Sequence, residues 1–343
     1  MFIRPVTMND HAAVLELAQA AGIGMTSLPP DNDVLLDKIL RAVKTFDGQP
    51  EGEGEESFLF VMEDPSSGKI VGTTGIWAQV GLKQPFYSYK INTITQSCSS
   101  PEIFSKHQML QVVNDLTGTS EIGSLFLLPE YRRDRQGRLL SLCRFLFMAD
   151  FPELFAETVI AEMRGWHDGE GNAPFYNSLA RHFFEMEFRE ADYTNATKGN
   201  QFIADLMPKY PIYVSLLPKE AQAVIGKPYA SSEPAKALLE KQGFRWKGYV
   251  DIFDGGPTMQ AERELITTIR DSQQWEVTAI DDDMDAPKYM MTNGKFSAFR
   301  CCAGRMRPHG DGVMISPKAA EWLQVEKGDM IRGIEHQAKV EMA

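Results

Sequence analysis

One stretch, Glu121 to Met148, limits the folds open to this chain more than any other. It begins with Glu121-Ile122-Gly123-Ser124-Leu125-Phe126-Leu127-Leu128, which reads as a strand. A Pro129-Glu130 turn follows. Then a basic loop, Tyr131 to Arg138, runs directly into a long apolar helix. Arg132 to Arg138 holds four Arg and one Asp, a local charge of +3 in a chain whose net charge is −12. A helix start offers unpaired N–H groups and the positive end of the helix dipole, and guanidinium groups add charge-assisted hydrogen bonds. Together they make a phosphate site. A solvated basic turn paired with acidic surface is the structural alternative.

Composition narrows the partners. A chain of 343 residues suggests two or three domains. Its acidity makes it a poor binder of polyanions, so nucleic acid is not an expected partner. No apolar run approaches the ~20 residues that span a bilayer, so no membrane partner is expected. The richest run, Leu139 to Ala149, is short and interrupted by Arg144. Met1 to Val6 has neither the apolar region nor the cleavage site of a secretory signal. Cys98, Cys143, Cys301 and Cys302 form no Cys-x-x-Cys pair and read as reduced thiols, the usage of a cytoplasmic protein. No metal-ligand spacing occurs, and no tightly bound cofactor is expected.

Around the central stretch, strand and helix patterns alternate. Phe2–Val6 reads as a strand, and Thr7 to Asp10 as the N-cap region of a helix over Ala12–Ala21. A second helix spans about Asp33–Thr45. Phe58–Met62 and Ile70–Trp77 read as a hairpin about Asp64-Pro65-Ser66-Ser67-Gly68. Thr158–Met163 is a further strand, and Pro174 opens a helix that ends at Phe183-Phe184. Pro174, Leu179 and Phe184 recur sixty residues on as Pro234, Leu239 and Phe244, which permits a duplicated half-domain or reflects common helix punctuation. Near the end, Val313–Ile315, then Ser316-Pro317 opening a short helix, then Leu323–Arg332 read as strand, helix and hairpin. The expected division is 1–190, 191–275 and a small β-rich appendage, 276–343.

Leu127-Leu128-Pro129-Glu130-Tyr131-Arg132-Arg133-Asp134-Arg135-Gln136-Gly137-Arg138 resembles the acyl-CoA motif of the GNAT N-acyltransferases. Further segments are similar to the arginine N-succinyltransferase family. They are Gly123–Leu127, Leu140–Phe145, Phe202–Pro208 and, most specific, Tyr249-Val250-Asp251-Ile252-Phe253-Asp254-Gly255-Gly256-Pro257. The resemblance covers most of the chain. It implies an α+β fold with a mixed, central antiparallel sheet flanked by helices, residues 191–275 forming a second GNAT-like half that completes the substrate site. One position departs from the motif: Arg135 stands where the Gly-x-Gly turn has its first Gly. If the turn needs positive φ there, Arg costs about 1–2 kcal/mol.

The implied reaction moves the succinyl group of succinyl-CoA, a co-substrate, to the α-amino group of L-arginine. The resemblance places the acyl-CoA along Leu125, Leu127, Arg132, Arg133, Arg135, Gln136, Gly137 and Arg138. Glu121 is the candidate base, with His167 as a second and Tyr176 as candidate proton donor to the leaving thiolate. Anionic substrate groups have Arg164, Arg181 and His182 as candidate partners. The guanidinium has Glu170, Asp251 and Asp254, and Asp168 should face the same cleft. Asp251 and Asp254 equally suit a cap on the turn before Gly255-Gly256. Ornithine or another acyl-CoA as substrate, or a degenerate binding subunit, are the alternatives. The expected assembly is a homo-oligomer or a pair with a paralogous subunit.

Overall fold

A computed structural model describes residues 1–22, 25–168, 172–282 and 285–336, without the side chains of 196–198. Its strands are β1 (Phe2–Pro5), β2 (Ser57–Asp64), β3 (Lys69–Trp77), β4 (Ser88–Ser99), β5 (Glu102–Val113), β6 (Ser120–Leu127), β7 (Thr158–Glu162), β8 (Ile212–Tyr213), β9 (Arg245–Val250) and β10 (Pro257–Glu262). β11 (Gln273–Ile280), β12 (Lys288–Thr292), β13 (Cys301–His309), β14 (Gly312–Ile315) and β15 (Met330–Glu335) complete the set. The main sheet runs β1-β2-β3-β6-β7-β10-β9-β4-β5-β8. Among the described residues, only β6–β7 of its pairings is parallel.

β2 explains why the sheet is covered on both faces. Its apolar run alternates between two cores: Phe58, Phe60 and Met62 enter one, Leu59 and Val61 the other. A strand buried on both sides reads as continuous hydrophobicity. On the second face lie helices α1 (His11–Ala21) and α2 (Asn32–Phe46). α2 starts at Asp31, whose carboxylate accepts the N–H groups of Asp33 and Val34, and it buries Leu35, Ile39 and Ala42. On the first face lies α3 (Gln136–Asp150), in which every residue from Leu139 to Met148 is buried.

The parallel pair positions the site. β6 and β7 are in register only at Ser120–Val159 and Glu121–Ile160. Beyond Glu121 the strands part. Ser124 contributes to the divergence: it sits at φ 50, where the β3–β6 register slips between Thr73 and Gly75. It is held there by Ser27, whose Oγ accepts the Ser124 N–H at 3.0 Å and whose carbonyl accepts the Ser124 hydroxyl at 2.9 Å.

Three expectations change. The helix after Pro174 is two short ones, Pro174–Ser178 and Arg181–Phe184. Residues 191–275 build no sheet of their own, because β9 and β10 insert between β7 and β4. The hairpin expected within Leu323–Arg332 is one strand, β15, which pairs with β11 and β12. The last five strands close a ring, β12-β15-β11-β14-β13 and back to β12, around Val277, Met291, Met306, Ile315 and Ile331. This small barrel is joined to the main sheet, since Cys301 and Cys302 of β13 pair with Ile3 and Phe2 of β1. Arg332 of β15 adds a 2.6 Å ion pair to Asp150 at the end of α3.

Candidate active site

A cavity of about 600 Å³ opens where β6 and β7 part. Its walls come from β6, the end of β7, one face of α3, the loop after α1, the helix Phe188–Lys198 and the turn before β10. The open edge of β6 runs along it, including Leu125 and Leu127.

One end is basic. Arg132, Arg135, Gln136, Gly137 and Arg138 line it. The loop makes its turn with two consecutive left-handed residues, Asp134 (φ 50) and Arg135 (φ 61), and Arg135 is the N-cap of α3. Successive N–H groups in such a turn form a concave anion cradle. Arg132 donates to the Leu127 carbonyl at 2.9 Å, and Arg135 to that of His336 at 3.1 Å. Arg138 is half-buried, and its Nε has no hydrogen-bond partner among the described residues.

The other end is acidic. Glu121, Glu162, Asp192, Asp251 and Asp254 all line it, with Arg164 among them. Burial pushes the Glu121 carboxyl up to about 7, against the pull of Lys38. The Lys38 ammonium lies 4.0 Å from the centroid of Trp77, the cross-strand neighbour of Glu121, and burial brings it down to about 7. Burial raises Glu162 well above the carboxylate range, and Asp251, Glu121 and Asp254 add repulsion. Burial and then Asp254 raise Asp251 to about 8. Burial and then Asp251 raise Asp192 to about 7, opposed by Arg164. Such crowding of carboxylates is relieved by a cationic guest.

Residues 1–268 match the family described as arginine N-succinyltransferase beta subunit, and residues 273–335 match the C-terminal domain of that subunit. The chain is 40% identical over 339 residues to an arginine N-succinyltransferase of Yersinia pestis, covering 97% of each. It is 41% identical over 334 residues to the arginine N-succinyltransferase subunit beta of Pseudomonas aeruginosa, covering 97% of this chain and 98% of that one. The chain belongs to the arginine N-succinyltransferase family. Its fold matches the solved arginine/ornithine succinyltransferase subunit AI of Pseudomonas aeruginosa, with a TM-score of 0.89, 35% identity and coverage of 98% and 99%.

Several residues singled out in the sequence of this succinyltransferase-family member lie away from the cavity. Tyr176 is fully buried among Phe184, Phe188 and Phe253, and its hydroxyl donates to the Met186 carbonyl at 3.1 Å. It packs the second core, off the cavity lining. His167 stacks on Tyr229 at 4.5 Å, off the cavity lining, with Nδ1 2.8 Å from the Asp168 carbonyl. Asp168 accepts the Asn172 N–H and side-chain amide. Arg181 is exposed and pairs with Glu187, and His182 is exposed. Arg133 points into solvent, off the lining. Glu170 lies outside the described residues.

Asp254 is brought to the cavity but is occupied. Its two oxygens accept the N–H groups of Gly165 (2.6 Å) and Gly256 (2.8 Å), tying the turn to the segment after β7. A Cβ at Gly256 would lie 2.0 Å from the Met163 carbonyl, so only glycine allows this approach. Asp251 caps the turn with Oδ1 alone, accepting from Phe253 and Asp254. Glu162, Asp192 and Arg144 were missed. Glu162 closes the apolar strand Thr158–Glu162, and Arg144 breaks an apolar helix, so a charge ending or interrupting a buried run was the available signal. Among the described residues, no group of three or more His, Cys, Asp or Glu is poised to hold a metal, and no helix is long and apolar enough to cross a membrane.

Proposed function

We propose that this protein transfers the succinyl group of succinyl-CoA to the α-amino group of L-arginine, giving N2-succinyl-L-arginine and CoA, as the first step of arginine degradation. The observation that carries this reading is one cavity with a basic, helix-capped end and an acidic end, joined where two parallel strands separate. The pyrophosphate fits the Arg132–Arg138 turn, with Arg132 and Arg138 at the cavity and Arg133 outside its lining. The pantetheine arm lies against the open edge of β6, whose unpaired peptide groups suit its amides. An N–H of that edge, beyond the bulge at Ser124, receives the developing oxyanion.

The acceptor brings two cations and one carboxylate. Asp251, together with Glu162 and Asp192, suits the guanidinium. Arg164 suits the α-carboxylate. Glu121 takes the ammonium proton, directly or through water; the neutral amine attacks the thioester carbon, the C–S bond breaks, and the second proton lost by the nitrogen passes to the leaving thiolate, releasing CoA as its thiol. All of this runs in one ternary complex, with no tightly bound cofactor. The protein works in the cytoplasm, as a homo-oligomer or beside a paralogous subunit. The words subunit beta and subunit AI in the names of its relatives support such an assembly.

The test is a steady-state assay pairing succinyl-CoA or acetyl-CoA with arginine or ornithine. Succinyl-CoA with arginine should give the highest kcat/KM. Thiol release with none of the four pairs rejects the proposal in favour of a binding subunit. Arg132→Ala with Arg138→Ala should raise the KM for succinyl-CoA well before that for arginine, since charge-assisted contacts contribute about 1.5–3 kcal/mol each.

A further inference from the structure

Arg144 is the most deeply buried cation among the described residues, at 2% exposure, and it lines the same cavity. It lies on the face of α3 that carries Gly137, Arg138 and Ser141, so this stripe runs from the basic turn inward. Its Nε donates to the Ser141 carbonyl and one Nη to the Ser141 hydroxyl, both at 2.9 Å. No described carboxylate pairs with it. Arg164, the other deeply placed arginine of the cavity, is different: Asp254 and Asp192 offset its charge. A buried guanidinium without an acid is costly, and a fold retains one where a ligand supplies the missing charge.

We propose that Arg144, oriented by Ser141, receives the distal carboxylate of the acyl group and so selects a dicarboxylic half-thioester over a simple fatty acyl-CoA. This rests on the acyl transfer proposed above and assigns its donor specificity. The acyl chain carries one negative charge into a cavity already crowded with carboxylates. It needs a cation that those acids have not neutralised, and Arg144 meets that condition. A guanidinium with one edge fixed by Ser141 presents its remaining N–H groups in a planar fork that fits a carboxylate.

The experiment compares succinyl-CoA with butyryl-CoA, which has the same four carbons and no distal charge, using arginine as acceptor. In Arg144→Met, kcat/KM for succinyl-CoA should fall by about 10²-fold or more, while that for butyryl-CoA holds or rises. The affinity for free CoA, measured by calorimetry, should not change. Arg144→Lys should fall between, keeping the charge without the fork. Equal losses on both acyl-CoAs with weaker CoA binding would make Arg144 a pantetheine contact and overturn the proposal, as would an unchanged preference. If Arg144→Met does not fold, Ser141→Ala decides: a selective loss of about 5-fold for succinyl-CoA is expected, and an unchanged ratio overturns the proposal. Wild-type protein inert with succinyl-CoA and arginine would instead defeat the reaction itself. Active wild type without selective loss in the variants defeats only the role of Arg144.

Discussion

The base role proposed for Glu121 rests on where the strands part. A free carboxylate near pKa 4.3 is a weak base towards an ammonium. Burial lifts this one to about 7, so wild-type kcat/KM should rise with pH through that region. Glu121→Gln should lower kcat by about 10²–10⁴-fold at neutral pH, with the loss shrinking at high pH where the amine is already neutral. A near-normal kcat at neutral pH would pass the role to Glu162 or to water. Arg135 gives a second, separable outcome. Its left-handed backbone costs about 1 kcal/mol or more, so Arg135→Gly should raise Tm slightly while raising the KM for succinyl-CoA. A drop in Tm would mean that its bond to the His336 carbonyl outweighs the strain. At this scale the sequence was legible in part. The strained position at Arg135 and the basic lining could be read, because a motif fixes their spacing. Glu162 could not, because its significance comes from Asp251, nearly ninety residues away. Arg144 was visible as a break in an apolar run, but its lack of a partner is a property of the packed structure.

Among the elements, the turn Asp251–Gly256 divides its two carboxylates between tasks that the sequence left joined. Asp254 bonds two backbone N–H groups, so Asp254→Asn must turn an amide donor towards one of them. That should destabilise the fold by about 1–3 kcal/mol, seen as a lower denaturant midpoint. Asp251→Asn should keep the midpoint nearly unchanged and raise the KM for arginine. The reverse pattern would exchange their roles. Elements with one-sided or continuous apolar patterns, such as β2, β3, α2 and α3, were legible. The long ribbon β4–β5 was not. Its outer half is exposed, so residues such as Thr95, Gln96 and Ser97 carry no buried alternation to mark a strand. The break after Ser178 was also hidden, since local propensity continues where packing does not.

For the molecule as a whole, the crowded acids at one end of the cavity come at the expense of stability. Asp192 titrates near 7 in the fold and near 4 when unfolded, so the folded form holds its proton more tightly. Its effect is neutral below about pH 4, grows more destabilising as pH rises from about 4 to about 7, and is complete above that. Asp192→Asn should therefore raise Tm at pH 8 and scarcely at pH 4.5, as calorimetry can show. A gain independent of pH would point to packing instead.

The seam between sheet and barrel has a consequence in time. β1 emerges before the other described strands, and one of its edges can pair with β2 as soon as that strand follows. Its other edge waits for Cys301 and Cys302. Until β13 emerges, Phe2 and Ile3 therefore belong to an open strand edge, the kind of surface that recruits other chains. The closing barrel is thus also the seal on a hazard that the growing chain carries from the moment β1 is made.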